Sequence, residues 1–375
     1  MSIQPNISTS VRPQLSSTPR PAQVTDTQVH GTEVNQRHLP SALEQSVRSV
    51  VSRLDGLNAR LDEVSVAAKA VSSSTVAAPA DSLGDGFKAR HADGIKTQQA
   101  VQGLLEKLEA SKVPAHRVEA ELRKLAALEA SSAPEFKQSN LSFADKAGKQ
   151  LRGLQGAPQS IQSGQGQANG NAEFFQQLTD MIGFIKDDYL SVYESLLTKY
   201  SDFYKEFNET IMAKMGGWIE GKEDGKKVEV NSGLRNALQT LLSKYQKAPD
   251  GVLFPTDGWT CTTKENAEKW AKAMGLPDTC VRVLADGSCR VMMDLSPLQA
   301  MVSAAPSGTT TWDSAKFQAW QTGFNSQEGD LKNQLQLFTT KYGSANSYHE
   351  NFNKILSSQL SQYAEMLKAI ASGIA

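Results

Sequence analysis

The chain has 375 residues, a formal net charge of -1 and 39% hydrophobic residues. The length allows two or three structural units, and the near-neutral charge disfavours nucleic acid as a main partner. No apolar run is long enough to cross a membrane as a helix.

The N-terminal stretch, residues 1–40, is rich in Ser, Thr, Gln and Pro and reads as disordered. It has no basic start followed by an apolar core, so it does not read as a Sec signal peptide. From Leu43 a heptad follows through Val47, Val50, Leu54, Leu57, Leu61 and Val64, the mark of an amphipathic or coiled-coil helix. Val101, Leu104, Leu105 and Leu108 make a second stripe, and Val118, Leu122, Leu125 and Leu128 a third. Pro114 between them suits a first helical position, so 95–130 reads as two short helices with a tight break. The whole region 41–131 is expected to be helical. Residues 132–171, rich in Gly, Gln and Ser, read as a flexible linker.

A long helix is predicted over 172–217, with Glu173 in its first turn. Leu178, Ile182, Ile185, Tyr189, Tyr193, Leu196, Tyr200, Phe203, Phe207, Ile211 and Met215 keep to steps of three and four. Gly216-Gly217 is expected to stop it, Gly216 in the left-handed cap conformation. Trp218 then reads as a plug between coil and insert. Residues 218–311 read as mixed α/β. KKVEV and GVLFP are strands, with helices over SGLRNALQTLLSKYQ and TKENAEKWAKAMGL. Asp286-Gly287 is the favoured pair for a two-residue hairpin turn, which would set Cys289 opposite Leu284. Ser296-Pro297 reads as a helix start. The runs KLEASK and GKEDGKK read as exposed loops, and Asp187-Asp188 as a solvated face.

Residues 312–375 carry the last long helix. Its stripe includes Phe317, Trp320, Phe324, Leu331, Leu335, Phe338, Tyr342, Phe352, Leu356, Leu360, Tyr363, Leu367 and Ile370. Two such helices bury their seams against each other. The fold class is therefore mainly α with an α+β insert: a long antiparallel coiled coil, a mixed domain inserted at one end, and an N-terminal helical hairpin. The expected seam is Ile182, Ile185, Tyr189, Tyr193, Leu196, Tyr200, Phe203 and Phe207 against Leu335, Phe338, Tyr342 and Phe352.

No enzyme signature emerges. The insert has no histidine, which removes the commonest general base. Cys261, Cys280 and Cys289 match no zinc or nucleophile spacing and are expected to be free thiols. No catalytic, cofactor or metal residue is assigned.

DDYLSVYESLLTKYSDFYKEFNETIMAKMGGW resembles the coil helix of the type III secretion needle-tip proteins, the IpaD, SipD and BipD family, its SipD members most. VLFP, MDLSPLQAMV, KFQAWQTGFNSQE and KYGSANSYHENFNKILSS carry the resemblance further, across about residues 172–370. It implies a hydrophilic translocator that caps the needle as a small ring, commonly taken to be a pentamer. Such a protein controls secretion and supports insertion of hydrophobic translocators into the host membrane, which it meets only indirectly. It is secreted through the type III system and sits at the needle tip on the bacterial surface. The N-terminal hairpin would be a self-chaperone, and bile salts are ligands of the family. A disordered N-terminus with few charges suits type III export. A secreted effector or an adhesin on a coiled-coil scaffold is the alternative.

Pairing the long helices with Met215 near Ser314 or Lys316 sets Glu173 opposite Ser357. Everything beyond is then an overhang of roughly 14 residues, about 20 Å of helix. Its apolar stripe, Leu360, Tyr363, Met366, Leu367 and Ile370, with neighbouring Asn346, Asn351, Asn353, Lys354 and Leu356, is the expected needle-binding surface. The hairpin would cover it in the free protein.

Overall fold

The computed structural model describes residues 39–73, 85–131, 146, 147, 149, 171–223 and 226–373. The expected disordered tail 1–40 and linker 132–171 lie almost wholly outside the described residues. The chain divides into two units, Met1–Gln36 and Arg37–Ala375, and the elements below all belong to the second.

Helix α1, Leu39–Ser72, buries its whole heptad: Leu43, Val47, Val50, Leu54, Leu57, Leu61 and Val64 are each at most 2% exposed. Helix α2, Asp85–Ala130, is one helix of 46 residues with Pro114 inside it and KLEASK part of it. The expected break at Pro114 is therefore absent, and the hairpin is α1 with α2. Proline deprives the Ala110 carbonyl of its helical donor. Arg60 of α1 supplies another, its Nη1 donating to that carbonyl at 3.1 Å. Val101, Leu104, Leu108, Ala115, Val118 and Leu122 stay buried on both sides of the proline.

The first coil strand is less regular than its stripe suggests. Helix α3, Asn171–Gly183, runs into a π-helical stretch, Phe184–Leu190, then helix α4, Ser191–Thr210. The Ser191 N–H donates to the Lys186 carbonyl, five residues back. The wider turn rotates the helix beyond it relative to the helix before. Tyr189 leaves the seam, half-buried, with its ring 5.2 Å from Tyr193 and 6.2 Å from Trp270 of the insert. Ile182, Ile185, Tyr193, Leu196, Tyr200, Phe203 and Phe207 are buried, as are Leu335, Phe338, Tyr342 and Phe352.

The glycine stop works differently from expectation. The α-helix ends at Thr210, and the chain tightens into a 3-10 helix, Met212–Gly217. Gly216 and Gly217 are not among the left-handed glycines, and a Cβ on either would meet nothing within 4 Å. The left-handed helix cap is instead Gly275, at φ 80°. Trp218 is half-buried against Gly233, where an added Cβ would lie 2.6 Å from its Nε1.

The insert holds β1 (Ile219–Lys222), β2 (Lys227–Val230), α5 (Gly233–Tyr245), β3 (Val252–Phe254) and α6 (Lys264–Met274), then β4 (Val281–Val283), β5 (Cys289–Met292), α7 (Ser296–Ala304) and β6 (Thr310–Asp313). They form two three-stranded antiparallel sheets, ordered β1-β2-β6 and β3-β5-β4. Strands β1 and β6 were not expected from sequence. They clamp the exits of both coil strands, and Asp313 Oδ1 accepts from the Lys316 N–H at 2.8 Å to start the last helix. Thr263 caps α6, its side chain accepting from the Asn266 N–H. At α7, Asp294 Oδ1 accepts from Ser296 N–H at 3.0 Å, so the capping oxygen lies upstream of the expected serine. The β4–β5 loop is also longer than expected. Gly287, at φ 80°, closes a turn on the Leu284 carbonyl, and Cys289 pairs with Val283 rather than Leu284. The three cysteines are free.

The last helix, α8, runs unbroken from Ser314 to Gly373. It lies antiparallel to the first coil strand. The rings of Tyr200 and Phe338 are 5.0 Å apart, and those of Phe175 and Tyr363 5.7 Å. Glu173 therefore faces Glu365, eight residues beyond the expected Ser357. The shift arises because the first turns of α8 belong to the insert: Phe317 is buried and the Trp320 ring lies 5.7 Å from that of Trp312, tilted by 51°. The insert also folds back along the coil. Tyr245 of α5 lies 4.9 Å from Phe203, and Lys199 Nζ donates to the Val252 carbonyl at 2.7 Å.

Candidate functional site: the last helix and its cover

The C-terminal half of α8 is not an open overhang. Asn346, Asn353, Leu360, Tyr363 and Leu367 are fully buried, and Leu356 is 2% exposed. Of the expected needle-binding residues, Asn351 and Lys354 are exposed. The correction has a simple cause. The shifted register takes α3 further along α8, and α1 covers most of what remains. At the far end Tyr363 donates to Glu129 of α2 at 2.6 Å.

The two sides of this contact differ in kind. α1 offers an aliphatic stripe. α8 answers with a column in which Asn346, His349 and Asn353 are all buried. Asn346 Nδ2 donates to the Leu61 carbonyl at 3.3 Å and to Ser65 Oγ at 3.1 Å. Ser65 Oγ donates to Glu350 at 3.3 Å, and Ser357 to Asp55 at 2.9 Å. Lys354 pairs with Glu350 and reaches Asp62 at 3.4 Å. The two helices lie close at Gly343, where a Cβ would stand 3.2 Å from Ala68 Cβ.

Several groups in this contact have no hydrogen-bond partner among the described residues: Asn58 Oδ1, Asn346 Oδ1, both ring nitrogens of His349, and the amide oxygen and nitrogen of Asn353. A buried polar group left unpaired costs about 1–3 kcal/mol.

Charge takes over where α2 crosses α8 near the insert. Arg90 pairs with Glu328 at 2.6 Å, and Lys332 with Asp93. Burial raises the Glu328 pKa, against the pull of Arg90. Glu328 and Lys332 stand four apart on α8, Arg90 and Asp93 three apart on α2. On separation each helix can pair its own charges, so no isolated charge is left behind. Here Gly94 lets α2 close on α4: a Cβ would lie 2.6 Å from Asn208 Oδ1.

Asn346 and Asn353 were expected on this surface from sequence, but His349 between them was not. The signal was present. Asn346, His349 and Asn353 continue the steps of three and four from Tyr342 to Leu356. Among the described residues, no group of three or more His, Cys, Asp or Glu side chains could hold a metal. No described helix is long and apolar enough to cross a membrane.

Over 212 residues the chain is 40% identical to the cell invasion protein SipD of Salmonella typhi, covering 54% of this chain and 62% of that one. It is 32% identical over 216 residues to invasin IpaD of Shigella flexneri, covering 56% and 62%. These matches span less than two thirds of the relatives' length. Among solved structures, the pathogenicity island 1 effector protein of Chromobacterium violaceum is similar, with a TM-score of 0.55 and 28% identity over 87% of this chain and 97% of that one. The family model matches residues 6–370, and the chain belongs to the type III secretion systems tip complex components.

Proposed function

We propose that this chain is a hydrophilic translocator, exported through a type III system, that caps the needle, controls secretion and supports translocon insertion into a host membrane. Its partners are the needle subunit, the hydrophobic translocators and further copies of itself in a ring, a pentamer by family resemblance. Its role is that of a scaffold, without a catalytic step. Family membership supports the setting. The observation that carries the residue-level reading is the last helix, whose apolar and amide-rich face is held under a hairpin by a partly unsatisfied polar contact.

In this reading the α1–α2 hairpin is a self-chaperone. It shields Asn346, Asn353, Leu356, Leu360, Tyr363 and Leu367 until a helix of the needle subunit takes its place, with Asn351 and Lys354 at the rim. Helix replacing helix in one groove needs no new fold. We extend the proposal to bile salts as ligands. The groove of about 530 Å³ between α1 and α8, where Lys69 supplies a cation, fits an amphipathic anion of that size.

Labelled protein mixed with isolated needles tests the central role. Label at one end of each needle supports it. Label along the shaft, or none, removes the capping role.

A further inference from the structure

His349 sits where α1, α2, the π-helical stretch and α8 meet, beside a cavity of about 230 Å³. Leu57 and Leu61 line this cavity from α1, Leu108 and Ala115 from α2 and Leu190 from the π-helical stretch. The imidazole is 3% exposed, and neither nitrogen has a hydrogen-bond partner among the described residues. A neutral ring tolerates such a place far better than a cation does.

The charged groups around it offer no rescue. From α2 come Lys112 and His116, from the π-helical stretch Lys186 and Asp187, from α4 Glu194, and from α8 itself Glu350. The carboxylates already have cations. Lys112 takes Glu194 at 2.6 Å, Lys186 takes Asp187 at 3.5 Å and Glu119 of α2 at 3.4 Å, and Lys354 takes Glu350. Burial, with Lys186 adding its own repulsion, pushes the His349 pKa down to about 4.

We propose that His349 is a proton-operated latch: neutral, it lets the α1–α2 cover seat on α8, and protonated, it drives the cover off. The inference rests on the reading that this cover is released from α8. It adds the condition that loosens it, mild acid. The sign comes from the ring's two environments. The open state binds a proton near the ordinary histidine value of about 6.5, the closed state only at lower pH. Closure is therefore at full strength above that value and weakens as pH falls toward the closed-state value. The opening constant should rise up to about tenfold per pH unit across that interval.

Hydrogen exchange on the full chain between pH 4.5 and 7.5, corrected for intrinsic rates, reads this directly. In the native sequence the opening constant of α1 should climb as pH falls, while that of α5 in the insert stays level. His349→Gln and His349→Leu should both flatten the climb. The leucine variant keeps the test alive if the glutamine one misfolds. A level native profile, or the same climb in both variants, overturns the latch. No needle enters the experiment, so its failure is distinct from failure of the capping role.

Discussion

Helix α8 is held by two neighbours, and the holds are unlike. Against α4 it packs rings: Tyr200, Phe203, Phe207 and Phe338 are fully buried, and Tyr200 also donates to Gln334 at 2.8 Å. Against α1 it presents Asn346, His349 and Asn353 to leucine and valine. Both contacts bury apolar surface. Unpaired buried polar groups occur in both, the hydroxyls of Tyr204 and Tyr342 in the first and Asn346 Oδ1, the His349 ring and the Asn353 amide in the second, but only in the second do they follow one another along α8. In the proposed function the first is the scaffold and the second a removable cover.

The largest expected effect lies in the scaffold. Phe338→Ala should cost about 3–5 kcal/mol and lower the unfolding transition of coil and insert together. Calorimetry checks this; a loss confined to α1 would reverse the assignment of the two contacts. Next comes the cover. Leu54→Ala should remove about 2–5 kcal/mol, read as faster hydrogen exchange in α1 while α4 keeps its protection. Equal loss of protection in α4 would make the cover part of the permanent core. Filling the polar column should do the opposite. Asn353→Leu removes two unpaired buried groups and is expected to tighten closure by about 1–3 kcal/mol. Slower exchange in α1 is the readout, and faster exchange would show that the amide has a partner in solution. The smallest effect belongs to Gly216→Val. With negative φ and open space around it, this change should move stability by no more than about 0.5 kcal/mol. A loss above about 1 kcal/mol would restore the glycine as a conformational stop.

The long elements were legible in sequence because their signal is local. The heptad of α1 and the stripes of α4 and α8 are set by spacing alone, and most of their residues are buried, with Trp320 and Ile370 half-buried. The features missed depend on partners distant in sequence. Pro114 stays inside a helix because Arg60, on another helix, takes the freed carbonyl. β1 and β6 are strands because β2 lies between them; neither IEGK nor TTWD alternates strongly enough to declare itself. The π-helical turn shifts Tyr189 out of the seam, and no residue type marks such a turn. The candidate site was half legible. Its apolar residues were found, but the expectation that they stood exposed came from a register that ignored the insert's hold on the first turns of α8.

The central claim is that the face of α8 under α1 is the needle anchor, reached only when the cover leaves. Ala68→Cys with Gly343→Cys gives the direct test. Their Cβ atoms would stand 3.2 Å apart, just under the usual disulfide separation of about 3.5–4.5 Å, so small adjustments close the bond. With Cys261 replaced by Ser, the oxidised protein should fail to decorate needle tips, and reduction should restore decoration to the level of the native sequence. Tip decoration by the oxidised form at that same level would contradict the account.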